Sequence, residues 1–325
     1  MAQSGVKACS DGDFIELFEK FGPRQAAKKI GVGVRKVYER RRNLEFKYKR
    51  AIHPPTTVRP GPRSPTANVE DHPARQHIEI QDGNVLIGSD SHYWPDIIST
   101  AHRAFVYFNR ELKPKFVIKN GDELDFPRIS RHAPIQWENQ PTVVQEIEAA
   151  QDRLHEITEA NKNAKYFWPL GNHDARYETK LATVAPEYAK VHGVHLKDHF
   201  PRWKPCWSVW INDEVVVKHR WKNGVHAVYN NTVYAGKTMI TGHLHSPKVT
   251  PFSDYNGTRY GVDCGTMADP YGPQFECYTE DNPRNWHSAF LVLTFINGDL
   301  LYPEHVRVRD EAAGLVEFRG KVYEV

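Results

Sequence analysis

Long apolar runs are missing from this chain. None approaches the ~18 residues that a membrane-spanning helix needs, which excludes an integral helical membrane protein. Met1–Ser10 also lacks the apolar stretch of roughly 7–15 residues of a secretory signal, so a cytoplasmic location is expected and no membrane partner. Cysteine is scarce: Cys9, Cys206, Cys264 and Cys277 are the only four in 325 residues, and none forms a CxxC pair. That excludes a disulfide framework and reads as reduced thiols. No self-similarity recurs at a period of roughly 20–50 residues, so solenoids and propellers are excluded. The composition, 40% apolar and 26% charged, also excludes collagen-like, coiled-coil and wholly disordered chains.

What is present is unevenly distributed. The net charge of +3 conceals a basic head, with 16 Lys and Arg against 8 Asp and Glu in residues 1–75. The remaining 250 residues are mildly acidic. A basic head suggests a polyanionic partner. Six prolines fall between His53 and Pro73 (54, 55, 60, 62, 65 and 73), and a segment so rich in fixed φ angles and missing donors reads as an extended linker over 53–75. It separates a head of residues 1–52 from a body of residues 76–325.

The head reads as three short helices. Asp13 can cap the first, whose apolar residues are Ile15, Leu17, Phe18 and Phe21. Gly22-Pro23 breaks it, Arg24–Ile30 forms the second, and Gly31-Val32-Gly33 turns into a third from Val34. The third helix carries Arg35, Lys36, Arg40 and Arg42 on its polar side. The run Ala27, Ile30, Gly31, Val32, Val34, Val37 resembles the helix-turn-helix family, which implies DNA as partner and those four basic residues as its contacts. A protein-binding bundle is the alternative.

The body alternates strands and helices. His77–Ile80, Asp82-Gly83 and Val85–Ser89 read as a hairpin; helix 97–112, strand Phe116–Lys119, helix 143–161 and strand Tyr166–Pro169 follow. This order implies parallel pairing with right-handed crossovers. The second half is rich in strands with turns at Asn212-Asp213, Asn256-Gly257 and Asn297-Gly298, so a two-sheet α/β sandwich with outer helices fits best. Five predicted strand ends deliver Asp, Asn or His: Asp90-Ser91-His92, Asn120-Gly121-Asp122, Gly171-Asn172-His173-Asp174, His219, and Gly242-His243-Leu244-His245. Ligands of parallel α/β sheets bind beyond such ends. Carboxylate, imidazole and amide oxygen together suit Mn, Fe or Zn. Residues i and i+2 of a strand point the same way, so Asp90 with His92, and His243 with His245, can each meet at one centre.

The ordered set DSH, NGDELD, GNHD, an isolated His and GHLH resembles the calcineurin-like metallophosphoesterase superfamily over roughly residues 85–265. The resemblance implies a four-layer α/β/β/α sandwich with two divalent metal ions, Mn foremost and Fe, Zn or Ni compatible. It implies Asp90, His92 and His245 as ligands of the first, Asn172, His219 and His243 of the second, and Asp122 bridging both. His226 competes with His219 for its place. The resemblance further implies a metal-bridging hydroxide as nucleophile, His173 as general acid and Asp174 as the carboxylate that orients it. Asp125, three residues after Asp122, reads as ordering its loop.

The loop Asp125–Pro141 carries Arg128, Arg131, His132 and Trp137, which can grip a phosphate and stack a base, or form an ordinary lid. Phe126 and Asp174 depart from the GDxxDRG and GNHE patterns of protein phosphatases. A helix-turn-helix head on a Pro-rich linker is similar to phage-encoded phosphoesterases, which implies the host cytoplasm. The reading is a nuclease or phosphodiesterase acting on DNA. The alternatives are a phosphatase or cyclic-nucleotide phosphodiesterase on small or protein substrates, and a DNA-binding adaptor with a vestigial phosphoesterase domain. The sequence carries no indication of oligomeric state.

Overall fold

A computed structural model describes residues 9–54, 75–135, 137, 139–276 and 279–325. The chain divides into two units, residues 1–67 and 68–325. Most of the Pro-rich segment, residues 55–74, lies outside the described residues, as does Cys277.

The smaller unit is built from α1 (Asp11–Ile30) and α2 (Val34–Tyr48). Gly22, at φ 74°, splits α1 into two helical pieces ahead of Pro23. The N-cap is Ser10, whose hydroxyl accepts the Asp13 N–H; Asp13 itself lies in the first turn, so the predicted cap moves three residues back. Gly31 ends the second piece in the left-handed conformation that glycine adopts without strain. Phe14, Phe18, Ala26, Ala27, Ile30, Val37, Leu44 and Ile52 form its core. Of the predicted DNA contacts, Arg35, Lys36 and Arg42 are exposed. Arg40 is otherwise engaged: its guanidinium donates to the Cys9 carbonyl and to Asp11, and lies over the Phe14 ring. Its hydrogen bonds are spent on holding the first helix to the third.

The larger unit runs β1 (Gln76–Ile78), β2 (Gly83–Gly88), α3 (Thr100–Leu112), β3 (Phe116–Lys119), α4 (Val143–Ala160), β4 (Lys165–Pro169), α5 (Asp174–Val184), α6 (Leu196–His199), β5 (Trp203–Cys206), β6 (Val209–Ile211) and β7 (Val215–Val217). It continues with α7 (Ala227–Ala235), β8 (Thr238–Thr241), β9 (Lys248–Asp254), β10 (Gly257–Asp263), β11 (Ala289–Ile296), β12 (Asp299–Leu300), β13 (Glu304–Asp310), β14 (Leu315–Phe318) and β15 (Lys321–Glu324). Among the described residues these strands make two sheets. One has the order β15-β14-β13-β11-β2-β3-β4-β5, with β12 beside β11; the other has β1-β6-β7-β8-β10-β9.

Period-2 alternation shows why two sheets stack. Val85 and Ile87 of β2 face the second sheet and meet Val215, Val217, Ile240 and Val262, whereas Leu86 faces the helix layer with Phe105, Leu154 and Ile157. Helices α3 and α4 cover the larger sheet, and α7 packs on β8, β9 and β10 of the smaller one, giving the expected α/β/β/α layering. Strands β2, β3, β4 and β5 are parallel neighbours.

Two predicted details change. The hairpin at Asp82-Gly83 does not form: β1 pairs in parallel with β6 in one sheet, while β2 pairs with β3 and β11 in the other. The apolar residues of both runs face the same inter-sheet core, and joining different sheets is what lets them do so. Helix α3 starts at Thr100 rather than 97, because the Ser99 hydroxyl caps it by accepting the His102 N–H. The hairpins at Asn212-Asp213, Asn256-Gly257 and Asn297-Gly298 stand.

Candidate metal centre

The carboxyl ends of β2, β3 and β4 in one sheet and of β7 and β8 in the other carry the predicted ligands. Five of the seven, Asp90, His92, Asp122, His243 and His245, have positive φ (56°, 40°, 54°, 73° and 54°). Side chains rarely adopt this backbone, and runs of it mark functional turns. Asp90 and His92 do converge, but through left-handed turns rather than the strand pleat. His243 and His245 do not share a centre. His245 groups with Asp90 and His92, and His243 with Asp122 and His219, each set within 4.8 Å.

Two of the ligand imidazoles, His219 and His92, are oriented by their other nitrogen. The Nδ1 of His219 is 2.7 Å from the Asn120 carbonyl, and that of His92 is 3.0 Å from Asp125 Oδ1. This leaves Nε2 of each aimed inward. His219 is buried, and its Nε2 lies 3.0 Å from Asp122 Oδ2 and 3.9 Å from Asp90 Oδ1. His226 only begins α7, which decides between the two candidates for His219. Asp90 Oδ1 is 3.1 Å from His245 Nε2, and its Oδ2 accepts the His243 N–H.

The donor set fits two divalent ions. Nε2 of His92, Nε2 of His219 and Oδ1 of Asn172 are buried without a hydrogen bond. Orphaned buried polar atoms are costly and call for an explanation. His219 Nε2 and Asp122 Oδ2 stand 3.0 Å apart out of hydrogen-bond geometry, as two ligands of one ion would. The two clusters adjoin, since His219 Nε2 approaches a carboxylate of each, and the other oxygen of Asp122, Oδ1, accepts the His173 N–H at 2.7 Å. The glycines permit this crowding, since any side chain at Gly171 would collide with the Asp122 carboxylate, and one at Gly121 with the Gly171 backbone.

His173 stands over this centre, its Nε2 3.9 Å from Asp122 Oδ2. Its orienting carboxylate is Asp125, 2.7 Å from Nδ1, and not the predicted Asp174. Burial works against a charged His173, but Asp122 and Asp125 outweigh it and raise its pKa to about 9. The Asp125 loop is held from below by Glu146, whose Oε1 accepts the N–H groups of Asp125 and Phe126.

Asp174 does something else. Its buried carboxylate accepts N–H groups from Asp122, Glu123, Leu124 and Gly171 and from the Trp168 indole. It ties the β3 loop to the β4 loop, and so sets where Asp122 stands. Replacing Asp174 with Ala would leave these donors buried and unpaired. We expect a loss of about 3–5 kcal/mol in denaturant unfolding. A change below about 1 kcal/mol would remove this role.

The predicted substrate contacts divide. His132 borders both cavities at the centre and Arg131 one of them. Arg128 borders neither: its guanidinium donates twice to the Gln140 carbonyl and staples its own loop. Trp137 is fully exposed rather than packed as a lid. Sequence reasoning missed Phe275 and Trp286, whose rings pack on His92 and His245 and wall the centre. Their segment has no periodicity that would have marked it. Arg176, read from the sequence together with Arg220 as a possible source of added charge stabilisation, donates to the Asp125 carbonyl and lies 3.3 Å from His173 Nε2.

No protein-family model matches the sequence, and no curated protein matches it. Among solved structures, the chain is similar to Vps29 from Entamoeba histolytica complexed with zinc (14% identity, TM-score 0.39, 74% of this chain and 98% of that one). It is similar also to YfcE, a phosphoesterase from E. coli (14%, 0.35, 68% and 97%), and to the nuclease MPE from Pseudomonas putida (16%, 0.29, 67% and 86%). At such identity and overlap none of them decides a ligand or a substrate here. Two ligand clusters, with His173 beside them, lie together at the carboxyl ends of strands of a two-sheet α/β/β/α sandwich.

Proposed function

We propose that this chain is a dimetal-dependent phosphoester hydrolase and that its substrate is a DNA phosphodiester. The observation that carries the reading is the pair of adjoining ligand clusters, with His219 Nε2 within 3.9 Å of both Asp122 and Asp90, beside the imidazole of His173. Asp90, His92 and His245 would hold one ion, Asn172, His219 and His243 the other, with Asp122 shared. Two such ions, with Mn the first choice, activate water near neutral pH and clamp phosphoryl oxygens. The chain's own part is positioning and proton delivery. In hydrolysis a water oxygen bonds to phosphorus and a water proton passes to solvent. The phosphorus–oxygen bond to the leaving group breaks, and His173 Nε2 protonates that oxygen.

The case for DNA is the exposed Arg35, Lys36 and Arg42 on α2 of a basic head. A tethered head raises the local concentration of substrate. The test is cleavage of labelled single- and double-stranded DNA by Mn-loaded and chelator-stripped protein, beside p-nitrophenyl phosphate. Metal-dependent DNA cleavage supports the reading. Hydrolysis of the small ester without DNA cleavage selects a phosphatase. Inactivity on all substrates with salt-sensitive DNA binding selects the adaptor.

A further inference from the structure

Two cavities open on the centre, and their walls differ in charge. One, of about 690 Å³, lies beside His173 and His245 and is bounded by Trp94, Phe275 and Trp286. The other, of about 630 Å³, leads away from Asn172 and His219. Arg131, Arg176, Lys180, Lys218 and Arg220 border this second cleft, and no carboxylate does among the described residues.

The cations arise from separate elements that the fold brings together. Arg176 and Lys180 are four apart on α5, on the face that also presents Thr179 and Thr183 to the cleft. Lys218 and Arg220 flank the ligand His219 beyond the end of β7. Trp207, 45% exposed, comes from the connection between β5 and β6. Arg131 and Arg176 are partly engaged, with His132 and with the Asp125 carbonyl. Lys180, Lys218 and Arg220 make no ion pair among the described residues.

A phosphomonoester has one phosphate, which the centre itself would take. Cations extending from the centre then have nothing to neutralise. A strand with further phosphates gives each of them a partner, and an exposed indole beside them offers a surface for one base. Stacking on an exposed indole needs a base free of its pair, which an unpaired strand offers and a duplex does not. We infer that this cleft is the track for an unpaired nucleic-acid strand. The scissile phosphate lies at the centre, and the following phosphates lie against Lys180, Lys218 and Arg220. A base stacks on Trp207, and the leaving group occupies the aromatic cavity beside His173. This rests on the hydrolase reading above and narrows its substrate from DNA in general to a single strand.

The experiment compares two p-nitrophenyl esters: that of thymidine 5′-phosphate, and the same ester on a six-nucleotide thymidylate. The full chain should hydrolyse the longer one with a kcat/KM higher by about tenfold or more at low salt. In the double variant Lys180→Gln/Arg220→Gln that length advantage should fall to about threefold or less. In parallel, fluorescence anisotropy follows labelled hexathymidylate on chelator-treated protein. The slope of log K against log salt should shrink by about 0.7 per cation removed, or about 1.4 in the double variant. The variant keeps the basic head, so the difference belongs to the cleft. No length advantage in the unaltered protein, or an equal advantage in the variant, would overturn the track. If neither ester is hydrolysed, the hydrolase reading fails instead. The binding slope then decides the track alone: a reduced slope supports it and an unchanged slope overturns it.

Discussion

Replacing Asp122 with Asn should lower kcat by on the order of a thousandfold or more while leaving the chain folded. Changes in groups that merely orient a ligand cost about 10–100-fold in metal affinity or activity, and Asp122 is the carboxylate proposed to serve both ions. It is buried, with Oδ2 3.0 Å from His219 Nε2 and Oδ1 accepting the His173 N–H. Asn keeps the shape and the acceptor oxygen, so the backbone bond from His173 survives. What it removes is the negative charge that offsets the repulsion between two divalent ions in a buried site. Bound metal, measured by elemental analysis after dialysis, should fall from two ions per chain to one or fewer. A variant retaining both ions and a tenth of the activity would mean that Asp122 does not bridge.

The second large effect concerns His173. Loss of a general acid costs about 10²–10⁴-fold when the leaving group is a poor one. His173→Asn should therefore lose that much on a dialkyl phosphate or DNA, and far less on a p-nitrophenyl ester, whose leaving oxygen needs no proton. Equal losses on both kinds of substrate would make His173 a binding residue only. The pH dependence follows from its raised pKa. A general acid acts while protonated, so with His173 held above the usual imidazole range by the neighbouring carboxylates, activity on poor leaving groups should persist through neutral pH and fall in alkaline solution. Asp125 contributes to the rise from 2.7 Å. Asp125→Asn should shift the alkaline limb about one pH unit or more toward acid, because an opposite charge at this range stabilises imidazolium by that much. A limb that stays in place would assign it to another group.

The two errors at this site share a cause. Asp174 follows His173 in sequence, which suggested a pair. At 3.6 residues per turn, neighbours at the start of a helix point about 100° apart. The Asp174 side chain therefore turns inward to the β3 loop while the His173 ring faces the centre. Asp125, 48 residues away in sequence, reaches that ring only because β3 and β4 are parallel neighbours whose ends lie side by side. Arg128 and Arg40 were misread for a related reason. Composition marks a cation, but only the packed chain reveals whether a carbonyl or carboxylate already occupies it. Strand β5 escaped notice because Pro205 sits within it, which is tolerated there because β5 is an edge strand.

The ligand types and their order were legible because each chemistry-bearing group follows a short apolar run with a turn residue. That local pattern also marked the parallel strands β2, β3 and β4, the two long helices of the body and the three asparagine turns. Its physical basis is short-range: alternation, capping and turn propensity act within a few residues. Which imidazole serves which ion, which carboxylate supports His173, and which cations remain free to meet a phosphate depend on groups far apart in sequence. Only the stacking of the two sheets, driven by burial of the apolar faces of β2, β7, β8 and their neighbours, decided those pairings.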